Sequence, residues 1–263
     1  MTVPYIMESP NEGDRLEQKT DAAAAEEQLQ HCGLHRGMSA LDAGCGTGAV
    51  TRVISRIAAP ARVVGIDQSS LRLKQARILS ADTDLPIEFI EGDILAIPFP
   101  DRTFDFSWSR FLFQYLPRPA DALAELCRVT RSGGTVAVAD LDGQIEQFFP
   151  LPDALSAMLS ESLELLAKTG FDPRVGRKLF HLFHTAGLHD IRIQVQPYQV
   201  YAGALPECDL ENWRLKLTTT ANYLIELTGE RERFEHFRDE MLKHLTRPDT
   251  FYYCSLVIAT GTV

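Results

Sequence analysis

The stretch Leu41-Asp42-Ala43-Gly44-Cys45-Gly46-Thr47-Gly48 decides the fold. Upstream, MSALDA is a short apolar run that ends in glycines, which reads as a buried strand and its turn. Downstream, TGAVTRVISRIAA is helical, with Val50, Val53, Ile54 and Ile57 on one face. Strand, glycine turn and helix are the parts from which an open α/β sheet builds a ligand site. Glycines let a backbone approach a ligand closely, and a helix N-terminus favours negative groups.

The same alternation continues outward. ARVVGIDQSS is a strand followed by a helix start, with Ser69 or Ser70 able to cap LRLKQARILS. Residues 87–91 (IEFIE) predict a third strand. Residues 103–109 (TFDFSWS) predict a fourth, with Phe104, Phe106 and Trp108 alternating against Asp105, Ser107 and Ser109. RPADALAELCRVTR predicts a helix stopping at Gly133-Gly134, and TVAVADLD a fifth strand. Such alternation implies a mostly parallel, Rossmann-like sheet with helices on both faces. Beyond residue 143 the rhythm changes. Residues 151–169 and 173–186 predict helices, IRIQVQPYQV and FYYCSLVIAT predict strands, and 208–247 is a helical, charge-laced insertion. Upstream, DRLEQKTDAAAAEEQLQHC (14–32) predicts an exposed helix. The fold expected is a seven-stranded α/β sheet with an antiparallel last strand and two helical insertions. No Pro/Gly/Ser linker divides it, so the 263 residues read as one domain.

Composition bounds the function. No apolar run approaches about 18 residues, so no membrane span is expected. The first residues lack the pattern of a secretory signal. Five scattered cysteines without a CxxC pair argue against a zinc ribbon or a disulfide scaffold and suit a reducing cytoplasm. A net charge of −10 disfavours a nucleic-acid substrate.

The glycine turn alone leaves two ligands open, because Gly44-x-Gly46-x-x-Ala49 also fits the dinucleotide pattern. Asp67, ending the second strand, can accept from the ribose hydroxyls of NAD or of any adenosine. Three features favour a nucleoside with an amino-acid tail. Asp42 beside the turn is unwelcome near a pyrophosphate but suits a cationic amino-acid ligand. Asp93, in Glu91-Gly92-Asp93, can accept from an adenine amino group. The last two strands suit a terminal hairpin with an antiparallel final strand.

LDAGCGTG, VVGIDQSS, EGDILAIPFPDRTFDFSWSRFLFQYL and ALAELCRVTRSGGTVAVADLD follow one another over residues 38–142. Their succession resembles the class I S-adenosylmethionine (SAM)-dependent methyltransferases, and most closely their small-molecule branch. The departure is Arg131-Ser132, where many members have leucine or arginine and then proline. The resemblance implies SAM as cofactor, a small-molecule acceptor and a core at 38–142. It implies that Asp42, Gly44 and Gly46 line the methionine part and that Asp67 binds the ribose, with Gln68 beside the adenine. Asp93 and Ile94 would hold the adenine, and Arg110 would face the methionine end and the acceptor. The leading segment, 1–32, would fold over the cofactor, with Arg15 pairing with the methionine carboxylate. Helices from 144–187 and 208–247 would roof the acceptor.

For a catalytic base the candidates are Asp140 and Asp142, which end the fifth strand, and His181 and His184, three apart on a helix. The histidines also suit plain packing, and with no third ligand in view no metal is expected. An NAD-dependent oxidoreductase remains an alternative, although no Tyr-x-x-x-Lys pair follows strand five. A non-catalytic SAM-fold binding protein is the third reading. No Asn/Asp-Pro-Pro-Tyr/Phe segment of the DNA amino-methylating type follows strand four. The expected assembly is a monomer or a homodimer.

Overall fold

A computed structural model describes residues 6–7 and 12–263. Five parallel strands form one side of its sheet: β1 (Ala40–Ala43), β2 (Val63–Asp67), β3 (Ile87–Glu91), β4 (Phe104–Arg110) and β5 (Thr130–Asp142). Their spatial order is β3-β2-β1-β4-β5. The chain therefore steps outward from β1 to β3, then returns to place β4 on β1's other edge. Right-handed crossovers in opposite directions send their helices to opposite faces. Accordingly, α3 (Ala49–Ala58) packs with α2 (Ala22–His31) on one apolar cluster, around Phe106 and Trp108. On the other, α5 (Pro119–Val129) and α7 (Leu179–Thr185) cover Leu41, Val64 and Val136. Cover on both faces explains why Ser107 and Ser109 are as buried as the aromatics they alternate with.

The sheet is completed by β6 (Phe148–Phe149), β7 (His189–Ala202) and β8 (Phe251–Thr262). β8 runs antiparallel between β5 and β7. The two-residue β6 pairs with Phe251 and Tyr252, making eight strands where the sequence predicts seven. A two-residue strand carries no periodicity by which to see it. Ser255 of β8 stands opposite Asp142, the last residue of β5, so residues 251–254 project past β5's carboxyl end. That projection carries a helical layer of α6 (Asp153–Ala167), α8 (Glu207–Thr228) and α9 (Arg231–Leu245). The layer has a core of its own around Leu159, Trp213, Met241 and Tyr252. Among the described residues no helix is long and apolar enough to cross a membrane.

Three local expectations need correction. The segment 14–32 is two helices, α1 (Glu12–Gln18) and α2, because the Asp21 carboxylate accepts from the Ala23 and Ala24 N–H groups and starts a new helix. Its inner face is buried at Ala25, Gln28 and Leu29; alanine adds little to an apolar pattern yet lets a helix pack closely. α5 ends at Val129, short of the glycines, because Thr130 already pairs with Phe104 and turns its hydroxyl back to the Leu126 carbonyl. Residues 176–185 form a 3₁₀ turn and then α7.

Candidate functional site

The glycine turn leaves the carboxyl end of β1 where the strand order reverses, the place at which open α/β sheets bind ligands. Gly44, Gly46 and Gly48 all have positive φ, a conformation that costs other residues strain. At Gly44 a Cβ would also stand 2.6 Å from Leu112 Cδ2. Around this turn lies a cleft of about 1180 Å³, its open mouth included. Of the predicted cofactor residues, Asp42, Gly44, Gly46, Asp67, Gln68, Asp93, Ile94 and Arg110 line it; Arg15 does not.

Asp42 is buried, and its Oδ2 accepts from the Thr51 hydroxyl at 2.6 Å. Burial lifts its carboxyl from the usual 3.8 to about 7. Arg110 lines the same cleft, stacked 4.4 Å over the Phe111 ring. Its Nε has no hydrogen-bond partner among the described residues, and burial lowers its proton affinity. No ion pair joins Asp42 to Arg110, so the cleft presents an acid and a base that do not satisfy each other. Asp67 Oδ2 accepts from Gly46 N–H at 2.8 Å and its Oδ1 from Ser69 N–H at 2.9 Å, tying the glycine turn to α4 (Ser70–Ser80). Burial nevertheless raises its carboxyl. Asp93 is exposed, and its Oδ1 accepts from Leu95 N–H in an Asx turn.

Arg15 forms a two-armed pair with Glu12 at 2.6 Å and lines a second cavity. Glu17 ties α1 to the glycine turn, its carboxylate accepting from the Thr47 hydroxyl and from Arg52, both at 2.6 Å. Lys19, not foreseen from the sequence, lies 4.9 Å over the Phe111 ring and lines both cavities. Burial holds its ammonium well below the usual proton affinity. One helical turn after Arg15, it shares that residue's face, which was the available signal. Thr51 was legible in the same way, in the first turn of α3 above Asp42.

The candidate bases are placed elsewhere. Asp140 is fully buried outside both cavities and accepts from the Gln114 and Leu141 N–H groups, pinning the β4–α5 connection to β5. Burial raises its carboxyl to about 7. Asp142 pairs with Arg177 at 2.7 Å. His181 and His184 are exposed on α7, with His184 stacked on Phe180. α7 runs back to the start of β7, which lies beside Thr262 and hence the amino-terminal end of β5's parallel register, so the structure brings neither histidine to the cleft. Among the described residues no cluster of three or more His, Cys, Asp or Glu could hold a metal.

Residues 41–138 match the family model described as "Methyltransferase domain". Those residues carry a methyltransferase domain. Over 179 residues the chain is 27% identical to the demethylmenaquinone methyltransferase of Staphylococcus aureus, covering 63% of this chain and 74% of that protein. Over 185 residues it is 32% identical to an uncharacterised 37.1 kDa protein in transposon Tn4556 of Streptomyces fradiae. That match covers 68% of this chain, which spans about half of the relative's length (52%). The fold is that of a putative methyltransferase from Bacillus halodurans, with a TM-score of 0.60 and 19% identity over 91% of this chain and 98% of that one. A SAM-dependent methyltransferase from Aquifex aeolicus gives 0.56 and 18%, over 97% of this chain and all of that one. Asp42 and Arg110, which do not pair with each other in the cleft, fit the ammonium and carboxylate of the methionine part of SAM.

Proposed function

We propose that the chain transfers a methyl group from SAM to a small-molecule acceptor. The observation that carries this reading is a buried carboxyl, Asp42, facing the same cleft as a half-buried guanidinium, Arg110, whose Nε is buried and has no partner among the described residues, with no ion pair between the two. A zwitterionic amino-acid group completes both, whereas a pyrophosphate brings Asp42 a repelling charge. Asp42 would receive the ammonium, and Arg110 with Lys19 the carboxylate, in place of Arg15. Asp67 would accept from the ribose hydroxyls with its remaining lone pairs. Gln68, Asp93 and Ile94 would border the adenine, and Gly44 and Gly46 would give the tail its close approach.

When bound, the cofactor supplies a methyl group made electrophilic by the sulfonium that bears it. The protein's part is then to align the acceptor's nucleophilic atom with that methyl and to exclude water. Positioning of this kind supplies up to about 7–11 kcal/mol of barrier reduction. The second cavity adjoins the cleft through Lys19 and Phe111, which line both, and we assign the acceptor to it. Of the segment 1–32 expected as a lid, residues 1–5 and 8–11 lie outside the described residues; α1 and α2 would supply its cover, and the helical segments 144–187 and 208–247 the acceptor's cap, on a core at 38–142. The net charge of −10 supports a free small molecule over nucleic acid. The free cysteines support a cytoplasmic setting, for a monomer or homodimer.

Calorimetry with S-adenosylhomocysteine (SAH) and NADH tests the reading. SAH should bind and NADH should not; NADH binding without SAH binding overturns it.

A further inference from the structure

The second cavity spans about 470 Å³, its open mouth included, and is built from separate parts of the chain: Met7, Arg15 and Lys19, the connection after β4, the end of β5 with Gln144, β7 and α8. Its polar groups are not satisfied by the protein. Gln114 and Gln144 are 1% and 8% exposed, and the side-chain oxygen of each has no hydrogen-bond partner among the described residues. Asn212 Oδ1 is buried and unpartnered as well. A buried polar atom left unpaired costs about 1–3 kcal/mol, so three amides around one cavity mark a place where something else completes them.

The charges of this cavity are one-sided. Its described lining includes Arg15, Lys19 and Lys216 and no carboxylate. Arg15 is engaged by Glu12, and Lys19 borders the cofactor cleft. Lys216 is different. It lies one turn beyond Asn212 on α8, 4.9 Å over the Trp213 ring, and no described carboxylate forms an ion pair with it. Buried ammonium groups are ordinarily paired. Desolvation lowers its pKa to about 7, which an incoming anion would reverse. The remaining lining is largely aromatic: the Phe111 and Tyr198 rings meet at 5.1 Å and 59°, with Tyr115 and Trp213 beside them and Met7, Leu141 and Gln199 filling the rest.

We infer that this cavity receives a planar acceptor bearing an anionic oxygen, a carboxylate or an ionised hydroxyl, which Lys216 anchors while Gln114, Gln144 and Asn212 complete its hydrogen bonds. The inference rests on the methyltransferase reading of the adjoining cleft. A primary amide can turn over to donate or accept, so these three serve the acceptor's other polar atoms, and selection by charge falls to Lys216. The anchor is a positioning group that fixes the ring so that another of its atoms meets the methyl.

The test is titration of the SAH-loaded protein with benzoate, ionised 4-nitrophenol, benzamide and benzylamine. SAH binding is measured first, so failure there removes the cofactor reading and is told apart from failure here. At least one of the two anions should bind ten times or more tighter than benzamide, and benzylamine weakest. Which anion wins separates carboxylate from ionised hydroxyl. Lys216→Met should erase the preference and Lys216→Arg should restore it, both folded and both with SAH affinity close to the parent's. No binding of either anion, binding of benzamide as tight as theirs, or a preference that survives Lys216→Met in a folded protein overturns the inference.

Discussion

Replacing Asp42 with asparagine should make the empty protein more stable and a poorer binder of its cofactor. The native carboxyl sits at about 7 because it is buried with only the Thr51 hydroxyl to accept from. In the unfolded chain it returns to 3.8. The folded state therefore holds a proton that the unfolded chain releases between about pH 4 and 7, and stability falls as pH rises through that window. Each tenfold in proton affinity is worth about 1.36 kcal/mol, so above pH 7 the ionised carboxyl destabilises the fold by about 4 kcal/mol. Asparagine keeps the shape and an oxygen for the Thr51 hydroxyl but carries no charge to desolvate. Urea unfolding without ligand should show Asp42→Asn more stable by about 2–4 kcal/mol at pH 8, and by under about 1 kcal/mol at pH 4. SAH affinity at pH 8 should fall at least tenfold. A variant no more stable than the parent at pH 8, or a gain that does not grow with pH, would refute the reasoning. Unchanged SAH affinity would remove Asp42 from the ammonium site.

Asp67→Ala should weaken SAH binding more than Asp93→Ala, since it also frees the Gly46 and Ser69 N–H groups that shape the turn; equal or reversed affinities contradict this. Gly44→Ala should cost about 1–3 kcal/mol in urea unfolding, for a φ of +79° and the crowding by Leu112, and at least tenfold in SAH affinity; parent-like values of both would refute the close-approach role. His181→Ala and His184→Ala should each leave methyl transfer at saturating SAM within about twofold. A large loss at either would contradict their placement on the outer face of α7.

The cleft around the glycine turn was legible because its residues are set locally. Asp42, Gly44, Gly46, Asp67 and Asp93 each stand at the carboxyl end of a strand, and strand ends are visible wherever an apolar run meets glycine or a polar residue. Arg15 shows where that logic stops. Its helix was recognisable, but the helix had a second cation, Lys19, one turn on, and only the packing of α1 on the glycine turn puts Lys19 at the cleft. His181 and His184 had the spacing of a helix face, but periodicity does not say which end of the sheet a crossover helix reaches. The residues of the second cavity were not legible, although the helical segments that roof it were. Gln114, Gln144, Tyr198 and Lys216 are ordinary residues in their own segments, and only the topology that seats α8 above β7 and β8 gathers them.

The strand that closes the sheet is also made after its neighbours. Asp142 waits for Ser255, and the helical layer lacks Tyr252 and Cys254 of its own core until residues 251–262 arrive. As the chain emerges from the ribosome, β5 and β7 both present open edges with no partner between them, the exposure that invites wrong pairing with other chains. The glycine turn and its parallel strands can assemble earlier, from neighbouring segments. The cavity assigned to the acceptor depends on β7 and α8, which settle only when β8 slots into place. The cleft at the glycine turn can thus be in place before the cavity beside it is closed.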